Sequence, residues 1–305
     1  MSEKRTVLIT GAGGFLAGHS ARAFREAGWR LVGIGRSDAD RQSSLFDSFK
    51  LDDLSDAARI AGVFDKFTPS LVIHLAAPSS VPASLQFPLA DFEAHVMPTA
   101  RLYEAIRTSA TPGCVMLISS AAVYGDPHQT IDESTPLRPI SPYGFHKLQQ
   151  ESIADEAYKL HNIRSLKVRL FSTFGEGLRR LAVWEIAHRA LRGDTTVGGT
   201  GDEVRDYLYA GDIAHALVTI AERAEFNGSA INVGAGEGTS IRSLASTMFD
   251  ILGIQQSPRF TGVAAKAMPK EWIAGVEKLR ALGFAPRHSL RDGLTRTLEW
   301  IKTQN

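Results

Sequence analysis

The amino-acid sequence predicts an α/β fold: a doubly wound parallel sheet with a smaller C-terminal part interleaved with it. Three observations carry this expectation. Short apolar runs without polar alternation take turns with helix-length amphipathic stretches, as parallel strands covered by helices on both faces require. A glycine-rich turn joins the first such run to the first such helix. The composition is that of an ordinary globular chain, 44% hydrophobic and 22% charged over 305 residues, enough for one large α/β unit with an appendage.

Thr6–Thr10 reads as the first strand, a helix ends near Ala27-Gly28, and Leu31–Ile34 is the second strand. A short third strand lies around Phe49. Leu71–Leu75, Cys114–Ile118, Ser165–Leu170 and Ala230–Val233 continue the series. Between them Asp56 to Phe67, Pro98 to Ser109, Phe145 to His161, Leu181 to Arg192 and Asp212 to Ala224 have helical length and patterning. After about residue 170 polar and glycine-rich turns become frequent, and no repeat or low-complexity linker divides the chain.

Charge and cysteine content exclude several classes. Thirty-four Lys+Arg against thirty-three Asp+Glu leave +1, so no basic field exists for nucleic acid or an anionic membrane. The apolar runs are strand-length, too short to span a bilayer. Met1 to Arg5 lead straight into the first strand, and no cleavable leader is expected. The single cysteine, Cys114, lies in an apolar run and fits a reducing cytoplasm.

Thr10-Gly11-Ala12-Gly13-Gly14-Phe15-Leu16-Ala17 opens the first helix directly from the first strand. Gly11 and Gly14 permit a tight turn and close approach to a pyrophosphate, and the helix N-terminus supplies N–H groups and partial positive charge. This predicts Rossmann-type dinucleotide binding in residues 1–170, with the strand near 230–234 returning to that sheet. Residues 171–305 are left as mainly a substrate-binding part. At the end of the second strand Gly35-Arg36-Ser37 offers no carboxylate for a ribose diol before Asp38. Arg36 suits a 2′-phosphate, and NADP is favoured over NAD. Asp53, followed by Leu54, can accept from an adenine amino group or cap the helix from Ser55 onward.

Tyr143 and Lys147 lie one helical turn apart on a common face, after Ser141-Pro142. An ammonium near a phenol, beside an oxidised nicotinamide, favours the phenolate and lowers its pKa. Ser120, at the carboxyl end of the Cys114–Ile118 strand, can hydrogen-bond the same reacting oxygen.

Thr10 to Ala17, His74 to Ala77, Ser119 to Gly125, Ser141 to Lys147, Arg169 to Gly175, Val204 to Tyr209 with Asp212, and Ile231 to Gly234 occur in one order along the chain. In that order they resemble the extended short-chain dehydrogenase/reductases, in the nucleotide-sugar epimerase/dehydratase/reductase group. The resemblance implies a Ser120–Tyr143–Lys147 triad. It implies a cofactor site of Gly11, Gly14, Phe15, Leu16, Asp53, Leu54, Leu75, Ala76, Ala77 and Leu170. It also implies sugar contacts from Ser79 and Ser80, a diphosphate contact from Arg205, and a homodimer formed by two helices of each first domain.

Departures from the family pattern narrow the reading. Ala121-Ala122 replace the acid pair that dehydratases use to expel water, so a dehydratase is not expected. Ser172 and His95 stand where relatives often have asparagine, and Ala267 to Glu271 replace an Arg-Pro-Gly-Asp segment. In the basic run Glu176 to Leu181, Arg179 or Arg180 can take over a phosphate contact. His146 faces away from the Tyr143–Lys147 stripe, no spacing suggests a metal, and Gly234 to Gly238 reads as a turn capped by Thr239-Ser240 rather than a second dinucleotide loop. The lead function is 4-epimerisation of a nucleoside-diphosphate hexose. The alternative is NADPH-dependent reduction of a nucleotide-linked 4-keto-6-deoxyhexose, and a non-catalytic cofactor-binding regulator stands third.

Overall fold

The computed structural model describes residues 5–36, 43–110, 113–127, 130–263 and 267–304. Its centre is a seven-stranded sheet built from β1 (Thr6–Thr10), β2 (Arg30–Gly35), β3 (Ser48–Leu51), β4 (Leu71–His74), β5 (Cys114–Ser120), β6 (Ser165–Leu170) and the strand Ala230–Val233. The spatial order is Ala230–Val233, β6, β5, β4, β1, β2, β3, and every pairing is parallel. The chain therefore winds outward from β1 in one direction through β2 and β3 and in the other through β4, β5 and β6. The carboxyl ends of β1 and β4 flank the point where the winding reverses, which is where open α/β sheets hold ligands.

Period-two alternation explains why both faces are apolar. Val7 and Ile9 of β1 pack with Ala17, Ala21 and Phe24 of α1 (Phe15–Glu26) and with Leu217 and Ile220 of the helix Ala210–Arg223. Leu8, between them, packs on the other face with Ile60 and Phe64 of α2 (Ala57–Phe67). There it also meets Leu102 and Ile106 of the long helix described next. Each such fully buried valine, leucine, isoleucine or phenylalanine contributes about 1.5–3 kcal/mol.

Two short-range expectations are corrected. The helix expected from Pro98 begins ten residues earlier: α3 (Val81–Gln86) leads into α4 (Pro88–Thr108), and Pro98 lies inside α4. A proline reads from sequence as a first-turn residue because its missing N–H is harmless there; α3 and α4 do use prolines that way, which makes Pro98 look like a third start. The fifth helix, α5 (Pro142–His161), starts at Pro142 behind an N-cap, Ser141, whose hydroxyl accepts from Gly144 N. Beyond β6, Ser172–Phe174 pairs with Tyr207–Tyr209. The helices Leu181–Ala190, Ile241–Leu252 and Leu290–Lys302 enclose a separate cluster around Phe174, Leu244 and Leu298. Ser240 caps the second of these by accepting from Ser243 N, as expected of the turn at 234–240.

Candidate active site

Gly11 carries φ +66°, and a Cβ built there would lie 2.8 Å from Ala76 Cα. The β1–α1 turn thus presses on the Leu75–Ala77 exit of β4, and only glycine fits. The two exits are also tied by side chains. Thr10 Oγ1 lies 2.8 Å from His74 Nδ1 and accepts from Ala76 N at 3.3 Å. His74 Nε2 lies 2.9 Å from Thr99 Oγ1. Burial, helped by Lys147, drops the His74 pKa to about 3, so the ring is neutral. Thr99 donates to the His95 carbonyl, which assigns the remaining proton to Nε2 and leaves Nδ1 to accept from Thr10.

Gly14 is the N-cap of α1 and brings no side chain of its own to the helix end. The first-turn N–H groups of Phe15 and Leu16 have no intrahelical partner, so this end can receive a pyrophosphate. Gly175 and Gly177 lie against the Phe15 ring, placing the loop after β6 above it. Leu170, 9% exposed, ends β6 in register with Ser120. A nicotinamide dinucleotide fits this cradle.

Arg36 is exposed at the end of β2; Ser37 and Asp38 lie outside the described residues. Asp53 accepts from Ser55 N at 3.0 Å, and a side-chain hydrogen bond with Ser55 holds its carboxyl below the usual range. The cap of α2 is Asp56, whose side chain accepts from Ala58 N. The helix starts later than Ser55, so the capping alternative for Asp53 is corrected. Leu54 is buried at φ 59° and packs in the core under this turn.

Ser120, Tyr143 and Lys147 are brought together at the carboxyl end of β5. The Ser120 hydroxyl accepts from Ala122 N at 3.2 Å and hydrogen-bonds with the Tyr143 phenol. Lys147 Nζ donates to Ile118 O at 2.9 Å. Burial lowers the lysine pKa to about 8, against the pull of Asp91 and Glu151 towards the ammonium. The lowering of the tyrosine pKa is expected beside an oxidised nicotinamide; in the protein by itself the balance runs the other way. Burial pushes the Tyr143 phenol up and Asp91 adds to this, while Ser120 and Arg180 act in the opposite direction.

Several residues at the site carry no local sequence signal. Ser84 accepts from Tyr143 N at 3.1 Å and donates to Val81 O, docking α3 on the start of α5. Asp91 Oδ2 lies 2.6 Å from His146 Nδ1, and His95 Nδ1 donates to the Asp91 carbonyl at 2.7 Å. The His95 ring meets Tyr143 edge-on at 5.4 Å. Burial and the Lys147 charge lower the His95 pKa to about 4. Asp91, His95 and His146 hold ligand atoms within 4.8 Å of one another; His146 Nδ1 and Asp91 Oδ2 face each other and His95 Nδ1 is engaged by the Asp91 carbonyl, while His95 Nε2 is buried with no hydrogen-bond partner. On the other side of Lys147, Glu151 accepts from Arg169 Nε at 2.9 Å, Arg169 Nη2 at 2.7 Å and Ser119 Oγ at 2.6 Å. Arg169 also donates to the Tyr124 hydroxyl, which donates to Asn232 Oδ1.

The residues expected to meet substrate divide. Ser79 Oγ accepts from Arg180 Nη2 at 2.7 Å, and Ser80 caps α3 by accepting from Ala83 N. Ser172 N donates to Asp206 O, fixing its strand. Arg179 is turned away, donating to Gln304 Oε1; Arg180, its neighbour, faces the cleft. Arg205 is buried over the Trp272 ring and donates to the carbonyls of Val204, Pro269 and Lys270. No Arg205–Asp206 ion pair forms among the described residues: the Asp206 carboxylate accepts from the backbone of Ala235, Gly236 and Ala274.

A parallel sheet with a glycine turn at its reversal point and a Ser–Tyr–Lys set beside it is the arrangement of an extended short-chain dehydrogenase/reductase. The chain belongs to the NAD dependent epimerase/dehydratase family, whose model matches residues 7–234. It is 29% identical to the UDP-glucose 4-epimerase of Azospirillum brasilense, over 97% of this chain and 92% of that one. The UDP-glucuronic acid 4-epimerase of Bacillus cereus, solved with UDP-glucuronic acid and NAD, is 26% identical with a TM-score of 0.89, covering 98% of this chain and 100% of its own. The UDP-glucose 4-epimerase of Thermus thermophilus, solved with NAD, is 26% identical with a TM-score of 0.87, covering 97% and 99%. No described helix is long and apolar enough to cross a membrane.

Proposed function

We propose that this protein inverts C4 of a UDP-linked hexose without net oxidation. The observation that carries the reading is the convergence of Ser120, Tyr143 and Lys147 on one strand end, with buried Ala121 and Ala122 where an acid would be needed to expel water. Tyr143 takes the C4 hydroxyl proton, Ser120 holds the same oxygen, and Lys147 orients the cofactor ribose and supports the phenolate. When bound, oxidised nicotinamide supplies the hydride acceptor and a positive charge that favours the phenolate. The 4-keto sugar would then turn in the cleft to present its opposite face to the bound cofactor, and Tyr143 gives the proton back to O4. Similarity of fold and sequence to UDP-sugar 4-epimerases supports this reading.

Gly11, Gly14, Phe15, Leu16, Leu75, Ala76, Ala77 and Leu170 would line the cofactor, and Asp53 stays exposed for the adenine end. We favour NADP because Arg36 stands where a carboxylate would meet the ribose diol, although the solved relatives hold NAD. Arg36 likewise supports the alternative, a reductase drawing on NADPH. Purified protein given UDP-glucose, UDP-N-acetylglucosamine and UDP-glucuronate should form C4 epimers with unchanged cofactor absorbance, and Tyr143→Phe should abolish this. Stoichiometric NADPH loss on 4-keto sugars instead would replace the epimerase with the reductase. Mass spectrometry of retained cofactor tests NADP; retained NAD with no response to Arg36→Ala overturns it.

Self-association through α4 and α5 is part of the same reading, because Leu89, Met97, Phe145 and Leu160 are exposed there. Light scattering of the purified protein tests it, a monomer being the contrary result. Cys114, free and buried, suits a cytoplasmic location.

A further inference from the structure

We infer that Arg180 is a specificity-determining residue that selects a nucleotide sugar bearing a carboxylate at C6, a UDP-uronate, over its neutral hexose counterpart. The inference rests on the epimerase reading of this site and deepens it.

Arg180 reaches across from the start of the helix Leu181–Ala190 to Ser79 in the β4–α3 loop, Nη2 to Oγ 2.7 Å, over a sequence separation of 101 residues. Ser79 follows the Leu75–Ala77 exit of β4 beside the Gly11 turn, which puts the guanidinium at the ligand end of the sheet, within electrostatic reach of the Tyr143 phenol. The backbone commits it there. Arg180 is fully extended, and Leu181 adopts φ +66°, a left-handed conformation that leucine rarely takes. This pair of conformations sends Arg179 to Gln304 and Arg180 to Ser79. Among the described residues Arg180 has no carboxylate partner, only a neutral hydroxyl that a ligand can displace.

The chemistry of the sugar supplies the missing anion. For Tyr143 to exchange a proton with O4, C4 must sit at the phenol, and the carbon next to C4 carries C6. The diphosphate is attached across the ring, at C1. Of the groups flanking C4, the C3 hydroxyl and C6, only C6 can be a carboxylate, so it is the anion a guanidinium at this end of the cleft can take, and its planar fork matches a carboxylate in a way it cannot match a hydroxymethyl group. Ala121 and Ala122 bring no negative charge to oppose it.

The test compares UDP-glucuronate and UDP-glucose on the cofactor-loaded wild type, Arg180→Ala and Arg180→Lys, with cofactor content and melting temperature confirming folding. Wild type should prefer UDP-glucuronate. Arg180→Ala should lose about thirtyfold more in kcat/KM on the uronate than on UDP-glucose, where the smaller loss reports only its charge at the phenol, with Arg180→Lys between, as expected for one charge-assisted contact. Equal losses on both sugars would mean a diphosphate or structural role and overturn the inference, as would wild type that turns over UDP-glucose alone. Calorimetric binding of both sugars separates the two readings. Uronate-selective affinity that vanishes in Arg180→Ala, in a wild type that epimerises neither sugar, would sink the epimerase reading and sustain this one.

Discussion

Replacing Glu151 with glutamine tests the electrostatic frame of the site. Glu151 is 2% exposed and accepts from two Arg169 nitrogens and from Ser119. Glutamine keeps the shape but removes the charge and turns a donor towards donors. Arg169, 4% exposed, then loses its only carboxylate partner among the described residues. Breaking a buried pair from one side costs about 3–5 kcal/mol. An unfolding entropy of about 2.1 cal/mol/K per residue makes each kcal/mol worth roughly 1.6 °C in a chain of this length, so the melting temperature should fall by roughly 5–8 °C.

The same substitution should also change function. Glu151 is one of two carboxylates that support the Lys147 ammonium against burial, so without it the lysine deprotonates at lower pH and the alkaline limb of kcat/KM moves down. The assay is thermal unfolding together with a pH–rate profile. Glu151→Leu with Arg169→Met should recover most of the lost stability, because apolar replacement of a whole buried pair is close to neutral or stabilising, but should not restore the alkaline limb. Melting within about 1 °C of wild type, or a limb that does not move, would refute the argument.

In the wild type, kcat/KM should decline as pH rises through about 8, where Lys147 loses its proton, and Lys147→Arg should remove that limb in whatever activity it retains. His74, held neutral with a pKa of about 3 against an ordinary 6.5, is a depressed group. Its contribution is fully present above pH 6.5 and lost as pH falls towards 3, reaching about 5 kcal/mol at most at 1.36 kcal/mol per pH unit. Denaturant titrations of His74→Gln should show a flatter acid side, and an unchanged slope would contradict the neutral assignment. Gly11→Ala should cost at least about 1–2 kcal/mol for its left-handed conformation, more from the contact with Ala76. It should also purify with less cofactor, which absorbance at the nicotinamide band reports.

What could be read from the sequence is what the chain encodes locally. Gly11 and Gly14 sit between a strand and a helix, Tyr143 and Lys147 are one turn apart, and Ser120 ends a strand, so their meeting follows from topology alone. Ser84 and Asp91 could not be found that way, since their partners lie 59 and 55 residues distant, and Arg180 is legible only as one of two candidates, its partner Ser79 lying 101 residues away. Arg179 and Arg180 show the limit most sharply. The residue types are identical and adjacent, and only the backbone at 180 and 181 decides which enters the cleft. Asp91 and His95 are hidden for another reason: with a helix expected only from Pro98, both fall in a supposed loop rather than four residues apart on α4.

Burial first, and the balance of charges around Tyr143 second, keep its phenol protonated. Around Tyr143, between α4, α5, β5 and β6, the buried cations Lys147 and Arg169 are matched by the buried carboxylates Asp91 and Glu151, and Lys167, also buried on β6, is paired with Asp155 of α5. The interior side of the phenol thus carries no surplus positive charge, and Asp91 adds to the upward push of burial. The cations that can favour a phenolate without a nearby matching anion come from the cleft side: Arg180, and the oxidised ring when bound. Under the proposed mechanism Tyr143 would serve as a base beside a positively charged ring and as an acid beside a neutral one. That is the order in which the two half-reactions need it. A C6 carboxylate that drew Arg180 to itself would weaken the remaining open-side cation, so uronate turnover should depend on the ring's charge more steeply than turnover of a neutral sugar.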